Sequence, residues 1–459
     1  MSERLQGGTI VAVSTPSGCG GVGIVRLSGP NALDISLAIF RPKKNATNIP
    51  PGRAVFGVVA DPEDGRPFDE GFLLYFRAPR SYTGEDVVEL DLHGSPVLLD
   101  EVVRLAVKQG ARPAEPGEFT LRAFLAGRID VLQAEAVDDL IRATSLLQAK
   151  SAFRGVEGAL SRKIAFLRRE VISLSAEIEA EIEFPEENLP SSPDRYVEKI
   201  DRIHSETAGL IESYHRGRFL SRGVTIALVG RTNSGKSTLF NNLLKEERAI
   251  VTPFAGTTRD FLRERFRLKD ASFNLIDMAG LGRPGSPVER EGIERGIKIA
   301  AEADGLLFLL DGSREMTQSD RKMILSYRDR KVILIVNKAD LGKKIRAAAL
   351  RRLCPGFPIV SVSALKGTGI GDLRELIYRT FRPLEAAEDL VVFRKRDRLF
   401  LEEMSAHLLQ AKKNLLFGEP IETVAEEARE IVSVIARMTG EIRPDDILNE
   451  VFSRFCIGK

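Results

Sequence analysis

The chain has little cysteine, no long apolar run and almost no excess of charge of either sign. Three cysteines, Cys19, Cys354 and Cys456, in 459 residues are too few and too scattered for a disulfide framework or a zinc site with paired ligand spacing. A reducing compartment is expected, and with it a cytoplasmic location. The longest apolar runs, near LLFLL and VILIV, fall far short of the roughly 20 residues that span a bilayer. The N-terminus MSERLQGGTIVAV lacks a basic region followed by a long apolar stretch, so no targeting or membrane segment is expected. Basic and acidic residues nearly cancel, 67 against 65; any nucleic-acid contact must then come from a local basic patch. Glycine and proline, 39 and 22, stay near the ordinary background, which excludes a fibrous repeat and gives no sign of disorder. His93, His204, His215 and His407 occupy no ligand spacing and are assigned structural or surface roles.

What is present is enough chain for about three domains. Residues 1 to about 120 carry short β-rich pieces, Thr9 to Val13, Gly23 to Leu27, Ala54 to Val59, Gly71 to Phe76 and Val87 to Leu92. Gly, Pro and Asp turns separate them and one helical stretch lies near Pro96 to Lys108, so an α+β domain is expected. From about residue 121 the period becomes helical: Ile164, Leu167, Val171, Leu174, Ile178 and Ile182 recur at steps of three and four. That helix should stop at Phe184-Pro185. Between about 222 and 383 apolar strands alternate with loops and helices (VTIALV, FNLID, GLLFLLD, VILIVN, FPIVSV), the pattern of a doubly wound α/β sheet. Helical period returns after 384. Two helical stretches flanking an α/β domain are read most economically as one bundle with the α/β domain inserted, although two separate bundles would give the same pattern.

Gly230-Arg231-Thr232-Asn233-Ser234-Gly235-Lys236-Ser237 fits G-x-x-x-x-G-K-[ST] directly after an apolar strand and before an apolar helix, which is the context a P-loop requires. Its backbone N–H groups suit phosphates, Lys236 reaches the β and γ phosphates, and the Ser237 hydroxyl is a Mg²⁺ ligand. Asp277-Met278-Ala279-Gly280 ends a strand and offers a carboxylate near the metal shell. Asn337-Lys338-Ala339-Asp340 ends another, and its carboxylate can accept from the N1–H and 2-amino groups of guanine, which adenine does not offer. Ser363-Ala364-Leu365 fits the loop over the base. Thr252 to Asp260, TPFAGTTRD, stands where the first switch belongs, with Thr258 the second Mg²⁺ candidate. Leu281 follows Gly280, so the side chain that often orients the attacking water is missing. Glu289, Glu291 and Glu294 are the acidic residues available instead.

With the P-loop GRTNSGKST, the switch AGTTRD, the NKAD segment, the N-terminal TIVAVSTPSGCGGVGIVRLSG, the segments SYTGEDVVELDLHG, RPAEPGEFTLRAFLAGRIDVLQAEAVDDLI and IEFPEE, and the terminal CIGK, the chain closely resembles the MnmE (TrmE) family of tRNA-modification GTPases along its whole length. The resemblance implies a multidomain fold. Residues 1–120 would form an α+β tetrahydrofolate-binding and dimerisation domain, 121–221 and 384–459 two halves of a discontinuous helical domain, and 222–383 an inserted doubly wound α/β P-loop GTPase domain. It further implies a homodimer and a flavoprotein partner, MnmG (GidA), in a heterotetramer or larger complex. Together they would place a carboxymethylaminomethyl-type group on the wobble uridine of tRNA, with formyl- or methylene-tetrahydrofolate as one-carbon donor. GTP-binding positions carried over are Asn233, Ser234, Gly235, Lys236, Ser237 and Thr238; Thr252, Pro253, Phe254, Ala255, Gly256, Thr257 and Thr258; Asp277, Met278, Ala279 and Gly280; Asn337, Lys338, Ala339 and Asp340; and Ser363, Ala364 and Leu365.

By the same resemblance, Asn233, Thr252, Phe254 through its backbone, and Thr257 would hold K⁺, supplying positive charge where an arginine finger otherwise would as the GTPase domains dimerise. Glu289 matches the family's catalytic glutamate. Arg26, Glu89, Arg128 and Lys459 match the folate site, where a carboxylate suits paired pterin N–H groups and cations suit glutamyl carboxylates. Cys456 is either a nucleophile in one-carbon chemistry or a small buried apolar residue. The chain departs from the family at Met278 for threonine, at Cys19 and Leu365 for basic residues, and at Arg128 for lysine. Basic segments at Arg216 to Arg222 and Arg394 to Arg398 are either tRNA contacts or solvated hinges. Two other readings stay open: a ribosome-assembly regulatory GTPase switch, against which stands the lack of a recognisable RNA-binding unit after the GTPase domain, and a stand-alone folate-dependent transferase.

Overall fold

The computed structural model describes residues 7–43, 49–184, 193–244, 262–277, 303–342, 344–382, 392–442, 451, 452, 455, 457 and 458. The chain is multidomain and divides into two compact units. One comprises residues 1–138, 155–203 and 406–459, the other 139–154 and 204–405.

The first unit contains a seven-stranded sheet ordered β3-β4-β5-β6-β2-β1-β7. Its strands are β1 (Ile10–Val13), β2 (Gly20–Ser28), β3 (Phe40–Pro42), β4 (Ala54–Ala60), β5 (Pro67–Phe76), β6 (Val87–Gly94) and β7 (Arg112–Pro113). Each pairing is antiparallel except β1 with β7. Residues alternate across a strand, so Val25, Leu27, Val88, Leu90 and Leu92 pack with Ile35, Ile39, Leu99, Val102 and Leu105 of helices α1 (Ala32–Ile39) and α2 (Pro96–Lys108). The opposite face carries Arg26, Glu89, Asp91 and His93. The pattern expected over Gly23–Leu27, Gly71–Phe76, Val87–Leu92 and Pro96–Lys108 is present, while α1, β3 and β7 are too short to leave a periodic signal.

Helices α3 (Glu118–Leu125), α4 (Val131–Ile141), α5 (Leu146–Val156), α6 (Ala159–Glu183) and α7 (Pro193–Arg222) follow. Ile164, Leu167, Val171, Leu174 and Ile178 are the buried stripe of α6, which ends with Phe184 as C-cap, as the following proline requires.

The second unit holds a six-stranded sheet ordered β13-β12-β11-β8-β10-β9, parallel except for the β9–β10 pair. Its strands are β8 (Val224–Gly230), β9 (Leu262–Leu268), β10 (Ala271–Asp277), β11 (Gly305–Asp311), β12 (Val332–Asn337) and β13 (Ile359–Ser361). VILIVN is buried along its whole length because helices cover both faces of a parallel sheet. Helices α8 (Lys236–Leu244) and α11 (Ile370–Phe381) pack on one face. Helices α9 (Gln318–Leu325) and α10 (Ala347–Leu353) pack on the other. The last long helices are α12 (Lys395–Phe417) and α13 (Ile421–Thr439), and α13 lies against α6. Among the described residues no helix is long and apolar enough to cross a membrane.

One buried ionic network ties the first unit together. Glu118, 1% exposed, accepts from Arg112 and, at 3.0 Å, from Arg122, which also reaches Glu85 at 2.8 Å. Burial opposes the charged carboxylate most strongly, but hydrogen bonds from Arg112, the Glu115 N–H and Arg122 outweigh it and hold the Glu118 pKa below its ordinary value. A lowered pKa gives stability that is present above the unfolded value of 4.5 and is lost as pH falls through the folded one. Glu118→Gln should therefore cost about 3–5 kcal/mol near neutral pH, and in urea unfolding the gap to the unsubstituted chain should close below about pH 4. A gap independent of pH would refute this account of the network.

Candidate functional site

The strand β8 delivers the chain to a turn whose backbone few residues tolerate. Gly230 and Gly235 have φ of +152° and +95°, and Asn233, a residue that accepts the left-handed region, has φ +64°. A side chain at Gly235 would collide with the Asn337 amide. The turn feeds the N-terminus of α8, so free backbone N–H groups and the positive end of the helix dipole face the same concavity. Lys236 folds back over it, its ammonium donating to the carbonyls of Gly230 and Arg231 at 2.8 Å each. Burial pulls the Lys236 pKa below its ordinary value, with Asp277 acting the other way. Asp277, at the end of β10 and 2% exposed, accepts from the Ser237 hydroxyl at 3.2 Å. A hydroxyl beside a carboxylate is the oxygen donor set that Mg²⁺ takes when phosphates complete its shell. Asn233, Ser237 and Thr238 are exposed at the mouth.

Asn337, at the end of β12 and 2% exposed, joins three loops. Its Nδ2 donates to the Ser234 carbonyl at 2.8 Å and its Oδ1 accepts from the Ala364 N–H at 2.9 Å. Ser363 donates to Asp340 at 2.6 Å, and that hydroxyl holds the half-buried Asp340 carboxyl below its usual pKa. Lys338, with φ +62°, pairs with Asp311 at 2.7 Å. Leu365 is 81% exposed. The structure thus brings Ser234, Gly235, Lys236, Ser237, Asp277, Asn337, Asp340, Ser363 and Ala364 together. Thr252, Pro253, Phe254, Ala255, Gly256, Thr257, Thr258, Met278, Ala279, Gly280 and Glu289 lie outside the described residues. Sequence reasoning missed Asp311, whose partner is Lys338, and Asn242, which donates to the Ala364 carbonyl; neither belongs to a motif.

A second cluster of polar and aromatic side chains lies in the first unit. Arg26 on β2 faces Glu89 on β6 as a cross-strand pair, with Nε to Oε1 at 2.8 Å and both side chains 19% exposed. The guanidinium sits between the rings of Tyr82, 6.0 Å from its centroid, and Phe119, at 5.7 Å. Tyr82 Oη meets Thr120 Oγ1 at 2.9 Å; burial raises its pKa, against the opposing pull of Thr120 and Arg26. Gly458 reaches this cluster. The Gly458 carbonyl accepts from Ser14 Oγ at 3.0 Å and from Arg26 at 3.4 Å, and Gly458, with φ +93°, leaves no room for a side chain against Val13. Asp91, two residues along β6, has a buried Oδ1 without a hydrogen-bond partner. Arg128 is exposed and donates to the Pro79 carbonyl at 2.7 Å, and no contact among those described ties it to the Arg26–Glu89 pair. Cys456 and Lys459 lie outside the described residues. Tyr82 stands in the SYTGED segment, but nothing local marks its ring as a neighbour of Arg26.

A P-loop seated at the end of a central parallel strand, with a strand-end Asn-Lys-x-Asp beside it, places the second unit among the P-loop GTPases. The sequence comparisons narrow this. A profile described as MnmE helical domain matches residues 131–456, and one described as GTP-binding protein TrmE N-terminus matches residues 9–128. The tRNA modification GTPase MnmE of Aquifex aeolicus (strain VF5) is 41% identical over 454 residues, covering 98% of this chain and 99% of that protein. Its counterpart from Carboxydothermus hydrogenoformans is 39% identical over 459 residues, covering 98% and 99%. The solved G domain of the T. maritima FeoB iron transporter is 30% identical, covers 34% of this chain and 98% of that one, and has a TM-score of 0.27, too low to carry any part of the assignment. The chain belongs to the MnmE family of tRNA-modification GTPases, and it is a GTPase of tRNA modification rather than a ribosome-assembly switch.

Two substitutions test the loop geometry. Ser234 is 2% exposed and its hydroxyl has no partner among the described residues, so Ser234→Ala should stabilise the chain by about 1 kcal/mol. Asn337→Ala should cost roughly 2–4 kcal/mol by orphaning the Ser234 carbonyl and the Ala364 N–H. Thermal midpoints moving the opposite way in either variant would contradict this picture.

Proposed function

We propose that the chain binds GTP with Mg²⁺ at the P-loop and hydrolyses it with a monovalent cation in place of an arginine finger. The observation that carries the nucleotide reading is the double hydrogen bond of Asn337, which sets the phosphate loop and the Asp340 and Ala364 loops in one frame. Within that frame Asp340 accepts from the guanine N–H groups. Ser363 keeps its carboxylate ionised, and the Ala364 segment covers the base. Lys236 would leave the loop carbonyls for the phosphates, Ser237 and Thr258 would hold Mg²⁺, and Asp277 would support that shell.

The exposed, left-handed Asn233 supports a cation site at the loop mouth, completed by Thr252, the Phe254 carbonyl and Thr257. Asn233, Thr252, the Phe254 carbonyl and Thr257 would hold K⁺, which when bound would supply positive charge against that developing on the phosphates, and Glu289 would place the water. GTP hydrolysis should be several-fold faster in K⁺ than in Na⁺ at equal ionic strength, and Glu289→Ala should abolish most of it. Equal rates in both salts would remove the cation role of Asn233.

Residues 1–120 are read as the tetrahydrofolate-binding and dimerisation domain of a homodimer that works with the MnmG (GidA) flavoprotein on the wobble uridine of tRNA. The domains run 1–120, 121–221, 222–383 and 384–459, and the protein is cytoplasmic. The donor set fits a folate: Glu89 and the unpartnered Asp91 carboxylate suit paired heterocycle N–H groups, and Tyr82 and Phe119 offer ring faces. When bound, formyl- or methylene-tetrahydrofolate would supply the one-carbon unit. Arg26 and Glu89 tie β2 to β6 at the site, Arg128 and Lys459 are cations for glutamyl carboxylates, and Cys456 is the available thiol. Glu89→Ala should weaken 5-formyl-tetrahydrofolate binding by at least tenfold in calorimetry, with GTP affinity unchanged. Undiminished folate binding would exclude Glu89 from the site.

A further inference from the structure

The near-zero net charge of the chain conceals one strongly basic stretch. Between Arg314 and Arg352 stand twelve lysines and arginines and four acidic residues. The crossovers β11–α9–β12 and β12–α10–β13 place both helices on the same face of the parallel sheet, as right-handed connections require. Ile324 of α9 and Leu350 of α10 indeed share one buried cluster with Phe308 and Leu334. The outer surface of that layer carries Arg321, Lys322, Lys344, Arg346, Arg351 and Arg352. All six are exposed, and none has a carboxylate partner among the described residues. The opposite layer is balanced: α11 and its C-cap carry Asp372 and Glu375 against Arg374, Arg379 and Arg382. The run that looks basic in sequence at residues 394–398 is instead neutralised, Arg394 by Asp139 at 3.1 Å, Arg396 by Asp397 at 2.8 Å and Arg398 by Glu402 at 2.7 Å.

We propose that the outer face of α9 and α10 docks the phosphate backbone of tRNA. Unpaired cations spread over two neighbouring helices cost self-repulsion that a polyanion relieves, and each phosphate neutralised releases counterions. Large apolar side chains are sparse there: within residues 314–352 only Leu325 and Leu341 are exposed among those described. That disfavours a buried protein–protein core and insertion into a lipid surface. The loop Lys338–Asp340 lies between the two helices in the chain, so RNA on this face would sit beside the base-reading end of the nucleotide site. The inference rests on the reading that this chain itself contacts tRNA.

The test uses the full chain, fluorescently labelled tRNA and anisotropy across a salt series. R351E/R352E should weaken tRNA binding about tenfold and reduce the slope of log affinity against log salt by about two. R321E/K322E should do the same, R379E on the opposite layer should change neither, and GTP hydrolysis without tRNA should be unaltered in all three. Wild-type affinity and slope in both double variants would overturn the proposal. So would loss of binding to phosphatidylserine/phosphatidylcholine vesicles with tRNA binding intact. If the unsubstituted chain binds no tRNA, both this proposal and the direct-contact reading fall, while an unchanged pair of double variants with a binding parent refutes this face alone.

Discussion

The Asn337 amide makes one donated and one accepted hydrogen bond, and the geometry of the nucleotide end hangs on that pair. A phosphate loop alone is held only by its own turn and by the strand before it. Base-reading loops alone are tethered only at the ends of β12 and β13. Crosslinking all three through one buried amide means that a shift in one is felt by the others, because a buried amide left with one partner would forfeit most of its hydrogen-bonding energy. Gly235 belongs to the same constraint, since only a residue without a side chain lets the loop approach the amide.

The first unit solves a similar problem with charge. Arg26 has a carboxylate, two ring faces and a backbone carbonyl as neighbours, so its position is overdetermined. Glu118 is fixed by two guanidinium groups. In both cases a planar, multiply donating cation orients elements from distant parts of the chain, which a lysine could not do with the same geometry.

Much of the fold and part of the site were legible in the sequence, and the reasons differ. Strands β8, β10, β11 and β12 announce themselves because burial on both faces makes them continuous apolar runs. The P-loop and the Asn-Lys-x-Asp segment are short, local and tied to strand ends, so spacing suffices to read them. Helix α6 shows its stripe. By contrast α1, β3 and β7 span at most eight residues, too few for periodicity to rise above chance. Gly458 lies 432 residues from Arg26, and no local pattern encodes such a pair. Tyr82 and Phe119 are likewise ordinary aromatic residues until the fold stacks them around a guanidinium. Charge was legible only in part for the same reason: Arg394, Arg396 and Arg398, in a stretch the sequence left open between tRNA contact and solvated hinge, have carboxylate partners that include a residue as distant as Asp139, while nothing in the chain order shows that the cations of α9 and α10 share one layer.

The first unit is discontinuous, built from residues 1–138, 155–203 and 406–459, and this bears on how the chain is born. Its α6 stripe packs against α13, which is translated more than 200 residues later; at about 5–20 residues per second that is a wait of roughly 10–40 seconds. The strands of the α/β sheet, all between residues 224 and 361, emerge within that interval and can close first. The α/β sheet can then close before the helical part of the first unit is complete, and until α13 appears α6 is covered only by neighbours such as α7, whose Tyr196, Lys199 and Arg202 reach its Glu181, Glu177 and Glu170.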